Sequence, residues 1–262
     1  MISLNSIKNF IFINFVLIFI GLVQYILGDT FLAYFSFLLI RNYGFIDIIE
    51  YVTNENRLIN IEQPKETYIY EFDFYVISST LMETILHIFI KYVFYHRHNN
   101  EINLIYDLFS FIIISFFFEI IFDFFHYSFH YFIHYNSYFY KNIHKVHHKF
   151  KYPSCITTFY QHPLDIIITN YIPIILTLIL IPIKPSYFQY NLISVYKVYI
   201  EISGHLGKYI KSTSFPQFIW LPKIFNIQLK VEDHDLHHSM NNCNYSKRFS
   251  LWDKIFGTYK NK

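Results

Sequence analysis

Residues 108–130 read LFSFIIISFFFEIIFDFFHYSFH. The run from Leu108 to Phe118 is almost wholly apolar, Glu119 and Asp123 follow toward its end, and His126 and His130 stand where it stops. At about 1.5 Å of rise per residue, Ile102 to Phe125 is long enough for a helix to cross a bilayer core of about 30 Å. A spacing of four puts His126 and His130 on one helical face. The stretch therefore predicts an all-α integral membrane bundle with a histidine-rich helical cap at one end.

Working outward, Phe10 to Ile26 predicts another span, interrupted only by Asn14 and Gln24. A cleaved signal peptide fits less well, because Lys8 is the only charge before it and no clear small-residue cleavage site follows. Phe31 to Ile40 is too short to cross alone and reads as an interfacial or re-entrant piece. Phe72 to Tyr95 carries Glu83, His87 and Lys91 at intervals of four, which places them on one face turned from lipid. Ile166 to Ile183, broken by Pro173, and Tyr187 to Ile200 predict a helical hairpin. Two passes return the chain to its starting side, so histidines before and after the hairpin can share one compartment. Residues 1–70 read as an N-terminal membrane anchor ending in a polar loop, and residues 71–262 as the main transmembrane and catalytic unit.

Lys141, Lys145, Lys149 and Lys151 flank the first histidine set, and Lys247, Arg248, Lys254, Lys260 and Lys262 the second. By the positive-inside rule both sets face the cytoplasm. A net charge of +2 with no clustered basic face argues against a nucleic-acid partner. The aromatic share of 22%, with 31 Phe and 25 Tyr, is too evenly spread to mark a site. Cys155 and Cys243 match no paired-cysteine spacing, which leaves a disulfide framework or thiolate metal site without support and fits a reducing compartment.

Histidine placement carries the chemistry. His126 and His130 form HxxxH; His144, His147 and His148 form HxxHH; His234, His237 and His238 repeat HxxHH. Two such triplets arise by chance in about 0.1% of shuffled chains of this composition. On a helix, positions i, i+3 and i+4 share a face and can aim their nitrogens at a common centre. A lone histidine near an interface is ordinarily an amphipathic surface residue; His87, His96 and His98 lie outside the motifs and are read as interfacial or structural residues. Eight converging imidazoles are different: protonated they would repel, whereas a metal binds them neutral. Imidazole suits Zn, Cu, Fe and Ni alike, but eight ligands exceed what one tetrahedral zinc needs, and the HExxH pairing of zinc proteases is absent. Two metals are expected. Glu119 and Asp123 continue the His126 face and are placed to accept imidazole N–H groups, or else to cap the helix. His134 extends the face one turn beyond His130.

These motifs, with His162-Pro163-Leu164-Asp165, Ser203-Gly204-His205, Asn244-Tyr245-Ser246 and Trp252-Asp253-Lys254-Ile255-Phe256-Gly257-Thr258, resemble the fatty acid hydroxylase and sterol desaturase superfamily over about Leu108 to Tyr259. The resemblance implies a di-iron centre, dioxygen as co-substrate, and electrons from NAD(P)H through a cytochrome b5-type donor, in the endoplasmic reticulum membrane. It makes His126, His130, His144, His147, His148, His234, His237 and His238 metal ligands, with His162 and His205 as ligands or their supports. Asn244, Tyr245, Trp252 and Asp253 are expected to pack around the last triplet. The implied reaction oxidises a lipid C–H bond to an alcohol or alkene, on a sterol or alternatively a fatty-acyl or sphingolipid substrate. A zinc-dependent membrane hydrolase and a histidine-rich metal transporter are the competing readings. A transporter should thread histidines through its spans, whereas here they gather at one end.

Overall fold

A computed structural model describes residues 4–60, 69–96, 102–210 and 215–261; the expectation for His98 lies outside them. The described residues are predominantly helical: α1 (Leu4–Leu27), α2 (Phe31–Val52), α3 (Ile69–Ile90, continued by a π-helical turn to Tyr95), α4 (Leu104–Tyr135), α5 (Ser137–Asn142), α6 (Pro163–Ile166), α7 (Ile172–Leu180), α8 (Tyr187–Gly204), α9 (Leu221–Ile224), α10 (Val231–Met240) and α11 (Leu251–Ile255). Short 3-10 turns span His144–Lys149 and Cys155–Phe159, and a π-helical turn fuses α6 to α7. Five segments are long and apolar enough to cross a membrane: Ile7–Leu27, Phe31–Val52, Glu71–Tyr95, Leu104–Tyr135 and Pro163–Leu180. The protein is a multi-pass helical membrane bundle.

The piece expected to be too short, Phe31 to Ile40, is the first half of a 22-residue helix. Arg41 and Asn42 look in sequence like the end of an apolar run, yet both are buried. The Arg41 guanidinium donates to both Glu83 oxygens at 2.8 and 2.7 Å and to Gln24 Oε1 at 2.9 Å. It also donates to Asn42 Oδ1, while Asn42 Nδ2 donates to Thr80 at 2.9 Å and Gln24 Nε2 to Asn191 at 3.2 Å. With the Arg41 charge satisfied by Glu83 and Gln24 of neighbouring helices, α2 can carry it across an apolar layer. The rest of the α3 face behaves as its spacing predicts: His87 stacks on Tyr190 and Lys91 pairs with Asp29.

The expected hairpin is α6–α7 followed by α8. A capping box at Ser186 and Gln189 starts α8, each side chain bonding the other's backbone N–H at 3.0 to 3.1 Å. Thirteen of its 18 residues are buried, polar ones included, so α8 is the central post of the bundle and need not read as lipid-facing. Its closest neighbour is α1, where Gly21 leaves no room for a Cβ, which would sit 2.4 Å from a Leu192 methyl. After α2 the chain docks at the histidine end: Leu58 pairs with Lys208 and Asn60 donates to Asp235 at 2.8 Å.

The C-terminal segment wraps back onto α4. Asp123 accepts the backbone N–H groups of Lys247, Arg248 and Phe249 at 2.7 to 3.0 Å. Glu119 binds Arg248 Nε at 2.7 Å. These two carboxylates therefore hold the returning chain, and none of their hydrogen bonds reaches an imidazole, because they lie one to two helical turns below the histidines.

Candidate metal centre

The last turns of α4 deliver His126, His130 and His134; the turn after α5 delivers His144, His147 and His148; the end of α8 delivers His205; and α10 delivers His234, His237 and His238. Their ring nitrogens form two adjacent groups. His130, His134, His144, His148 and His237 make the first, and His147, His205, His234 and His238 the second; within each, one ligand atom per residue lies within 4.8 Å of all the others.

Each triplet divides between the groups instead of aiming at one point. The first triplet sends His144 and His148 to the five-histidine group and His147 to the other; the second sends His234 and His238 to the four-histidine group and His237 to the first. His144 to Lys149 is a 3-10 turn, not the α-helix its spacing suggested. The groups touch along their shared edge, with ring centroids 4.7 Å apart for His148 and His238 and 5.6 Å apart for His144 and His147.

Backbone and carboxylate acceptors fix the rings. His130 Nδ1 donates to Tyr245 O at 2.8 Å, His205 Nδ1 to Glu201 O at 2.7 Å, His237 Nδ1 to Cys243 O at 2.7 Å and His238 Nδ1 to Phe150 O at 3.2 Å. His144 Nδ1 donates to Asp165 Oδ2 at 2.7 Å. A proton held on Nδ1 leaves Nε2 a bare lone pair. Those nitrogens face one another: Nε2 to Nε2 separations are 3.0 Å for His130 and His144, 3.1 Å for His144 and His148, and 3.0 Å for His205 and His234. Nε2 of His134, His237 and His238 is buried with no hydrogen-bond partner, as is Nδ1 of His147 and of His148.

Electrostatics agree with geometry. Burial first, then repulsion from neighbouring imidazoles, holds His147, His148, His234 and His238 well below the usual histidine range. Burial also brings His237 down to about 3 and His205 to about 4, although each Nδ1 hydrogen bond opposes it. All are neutral near pH 7, the form that binds a metal. Facing lone pairs without protons between them are costly when buried, and a divalent cation in each group relieves that cost. The donor set fits one: all-imidazole, buried, with carbonyl and carboxylate partners behind it.

Two expected ligands lie outside both groups. His126 donates from Nδ1 to Thr169 O at 2.6 Å, its ring 5.1 Å from that of His130. His162 is half-exposed and accepts the Leu164 N–H at 3.2 Å as the N-cap of α6. His134, which the sequence placed only on the same face, joins the first group through its four-residue spacing from His130. Tyr245 packs edge-on against His130, His134 and His237 with centroids 5.2 to 5.7 Å away. Asp253 accepts the N–H groups of Tyr245 and Ser246, each at 2.8 Å, and Asn244 Nδ2 donates to Asp233 O at 2.9 Å. Trp252 sits further off, donating to Ile120 O on α4.

Residues 115–258, more than half of the chain and including all nine grouped histidines, match the family described as fatty acid hydroxylase. The chain belongs to that family. Among curated relatives, this family member is 32% identical over 148 residues to a fatty acid hydroxylase of Lecanicillium sp, a match covering 54% of the chain and 40% of the relative. It is 34% identical over 120 residues to a C-4 methylsterol oxidase of Schizosaccharomyces pombe, covering 45% of the chain and 38% of the relative. It is also 25% identical over 120 residues to the cholesterol 25-hydroxylase of Mus musculus, covering 46% and 38%. The aligned region is thus about two fifths of each relative's length. No solved structure matched.

Proposed function

We propose that this fatty acid hydroxylase family member is a membrane-bound di-iron oxygenase that oxidises a C–H bond of a lipid, with a sterol as the favoured substrate. The single observation that carries the reading is the pair of adjacent all-histidine groups, five of whose ring nitrogens are buried with no hydrogen-bond partner. Iron bound there would supply dioxygen activation. The net reaction, R–H + O2 + 2 e− + 2 H+ → R–OH + H2O, draws its electrons from NAD(P)H through a cytochrome b5-type donor.

The chain's own part is positional. Nδ1 hydrogen bonds hold five of the nine grouped rings, His130, His144, His205, His237 and His238, to a fixed aim, the α6–α8 hairpin returns His205 to the level of His147, and the surrounding helices exclude water. The relatives named for sterols, a C-4 methylsterol oxidase and a cholesterol hydroxylase, support the sterol preference; the fatty acid hydroxylase supports the acyl alternative. Exposed Lys141, Lys145, Lys149, Lys151, Lys254 and Lys260 at the histidine end support a cytoplasmic site, with the protein in the endoplasmic reticulum membrane. Lys247 and Arg248 drop out of that argument, since Lys247 is half-buried and Arg248 buried, each in an ion pair.

Lipid profiles of cells producing the wild type and His147→Ala, together with metal analysis of the purified proteins, test the reading. A new hydroxyl or double bond with the wild type alone, and two irons per chain, is the expected result. Identical profiles, or one zinc with oxygen-independent activity, would overturn it.

A further inference from the structure

A cavity of about 50 Å³ borders the four-histidine group, floored by His205 and His234 and walled by Ile200, Ile210, Leu229 and Val231. Its apolar walls suit hydrocarbon, and its size admits only a few heavy atoms, hence one end of a lipid. Glu201 and Lys247 stand in the same lining.

Those two belong to a buried charge cluster. Lys247 Nζ donates to Glu201 Oε1 at 2.9 Å and to Asn170 Oδ1 at 2.8 Å, which uses two of its three protons. Glu201 is engaged through Oε1, by Lys247 and by Lys197; its Oε2 takes no donor among the described residues. Arg248 pairs with Glu119, and Asp123 takes backbone donors. Three cations, Lys197, Lys247 and Arg248, thus face three carboxylates, Glu119, Asp123 and Glu201. A balanced cluster offering a spare donor and a spare acceptor side by side suits a neutral group that both donates and accepts. Lys230, the other cation in the cavity lining, is paired with Glu232 at 3.8 Å, so a second carboxylate would enter without a free counter-charge.

Position sets the rest. Glu201 lies one helical turn before His205 on α8, about 6 Å along the axis. A group bound to it is therefore only a few bonds from the carbon held over His205.

We infer that the cavity over the four-histidine group is where the reacting carbon is presented, and that Glu201 and Lys247 bind a hydroxyl group of the lipid lying within a few bonds of that carbon. This rests on the oxygenase reading and narrows its substrates to lipids oxidised beside their polar group, not at a remote tail. Both residues are positioning residues.

Equilibrium binding to the full-length, iron-loaded protein in lipid nanodiscs tests it, by competition against a fluorescent sterol. The probes are a 4-methyl-3-hydroxysterol, its 3-deoxy analogue and its 3-carboxylate analogue. Loss of the hydroxyl should weaken binding to the wild type by about ten-fold or more, consistent with a hydrogen bond to a charged group. Lys247→Met should bind the hydroxysterol and deoxysterol alike with iron content unchanged, and Glu201→Gln, which keeps an acceptor, should retain most of the preference. Equal binding of the two sterols by the wild type, or tighter binding of the carboxylate, overturns the inference; that comparison needs no variant to fold. A hydroxyl preference with no turnover of any lipid supports the subsite while defeating the oxygenase reading. Equal oxidation of hydroxysterol and deoxysterol keeps the enzyme and overturns the subsite.

Discussion

Two of the polar clusters buried in this bundle, the one around Arg41 and the histidine groups, end differently. Around Arg41, the guanidinium, Glu83, Gln24, Asn42, Thr80 and Asn191 close on one another with donors matched to acceptors. At the other end, five imidazole nitrogens of the histidine groups are buried with no partner. A closed network is complete as protein, whereas an open one made of lone pairs requires a cation. The difference separates a structural polar core from a ligand site without reference to motif.

The comparison breaks most sharply at the metal groups. His147→Ala or His238→Ala should abolish oxidation and lower iron content, while thermal unfolding of the metal-free protein shifts little; iron measurement on purified variants checks this. Wild type with iron at 100 times its dissociation constant should gain about 2.7 kcal/mol over the metal-free form, and an unfolding midpoint that ignores iron would contradict an open cluster.

The closed network should respond in the opposite sense. Arg41→Met strands Glu83 and should cost about 3 to 5 kcal/mol, whereas Arg41→Met with Glu83→Met should recover much of it, both with full iron occupancy. Denaturant titration in detergent reads the pair; equal destabilisation of the single and double variants would show that the ion pair is not the unit.

Asp165 sharpens the comparison from the edge of the site. Its carboxylate holds His144 Nδ1 at 2.7 Å, so Asp165→Asn should weaken iron binding by about 10- to 100-fold with stability nearly unchanged, as iron titration would register. The smallest effect is expected on α1, away from the histidine groups. Gly21→Ala puts a methyl against Leu192, should cost about 1 to 3 kcal/mol, and should leave iron affinity untouched.

Sequence legibility followed the same division. Spans with unbroken hydropathy, and the hairpin punctuated by Pro173 and Pro185, could be read directly, because lipid contact demands apolar residues one by one. α2 was cut short at Ile40 because Arg41 looks intolerable until Glu83 and Gln24, 42 and 17 residues away, are brought to it. The histidine constellation was legible as motif, but its division into two groups was not. Whether i+3 joins i and i+4 depends on ring direction, and the 3-10 turn at His144 alters that. His162 shares its motif with Asp165 yet serves as a helix cap, a role set by local backbone and invisible to spacing. Glu119 and Asp123 were placed on the correct face, but their partners arrive from residues 247–249 and so could not be named.

The interleaving of the two triplets has a consequence for biogenesis. Neither group is complete until α10 emerges, yet His130 and His144 are made before the hairpin that separates them from it. During synthesis the nascent chain therefore presents several imidazoles before α10 has emerged to complete their groups. Neither histidine group can close around a metal before then, and any arrest between Gly204 and Val231 would yield a chain in which both groups are incomplete.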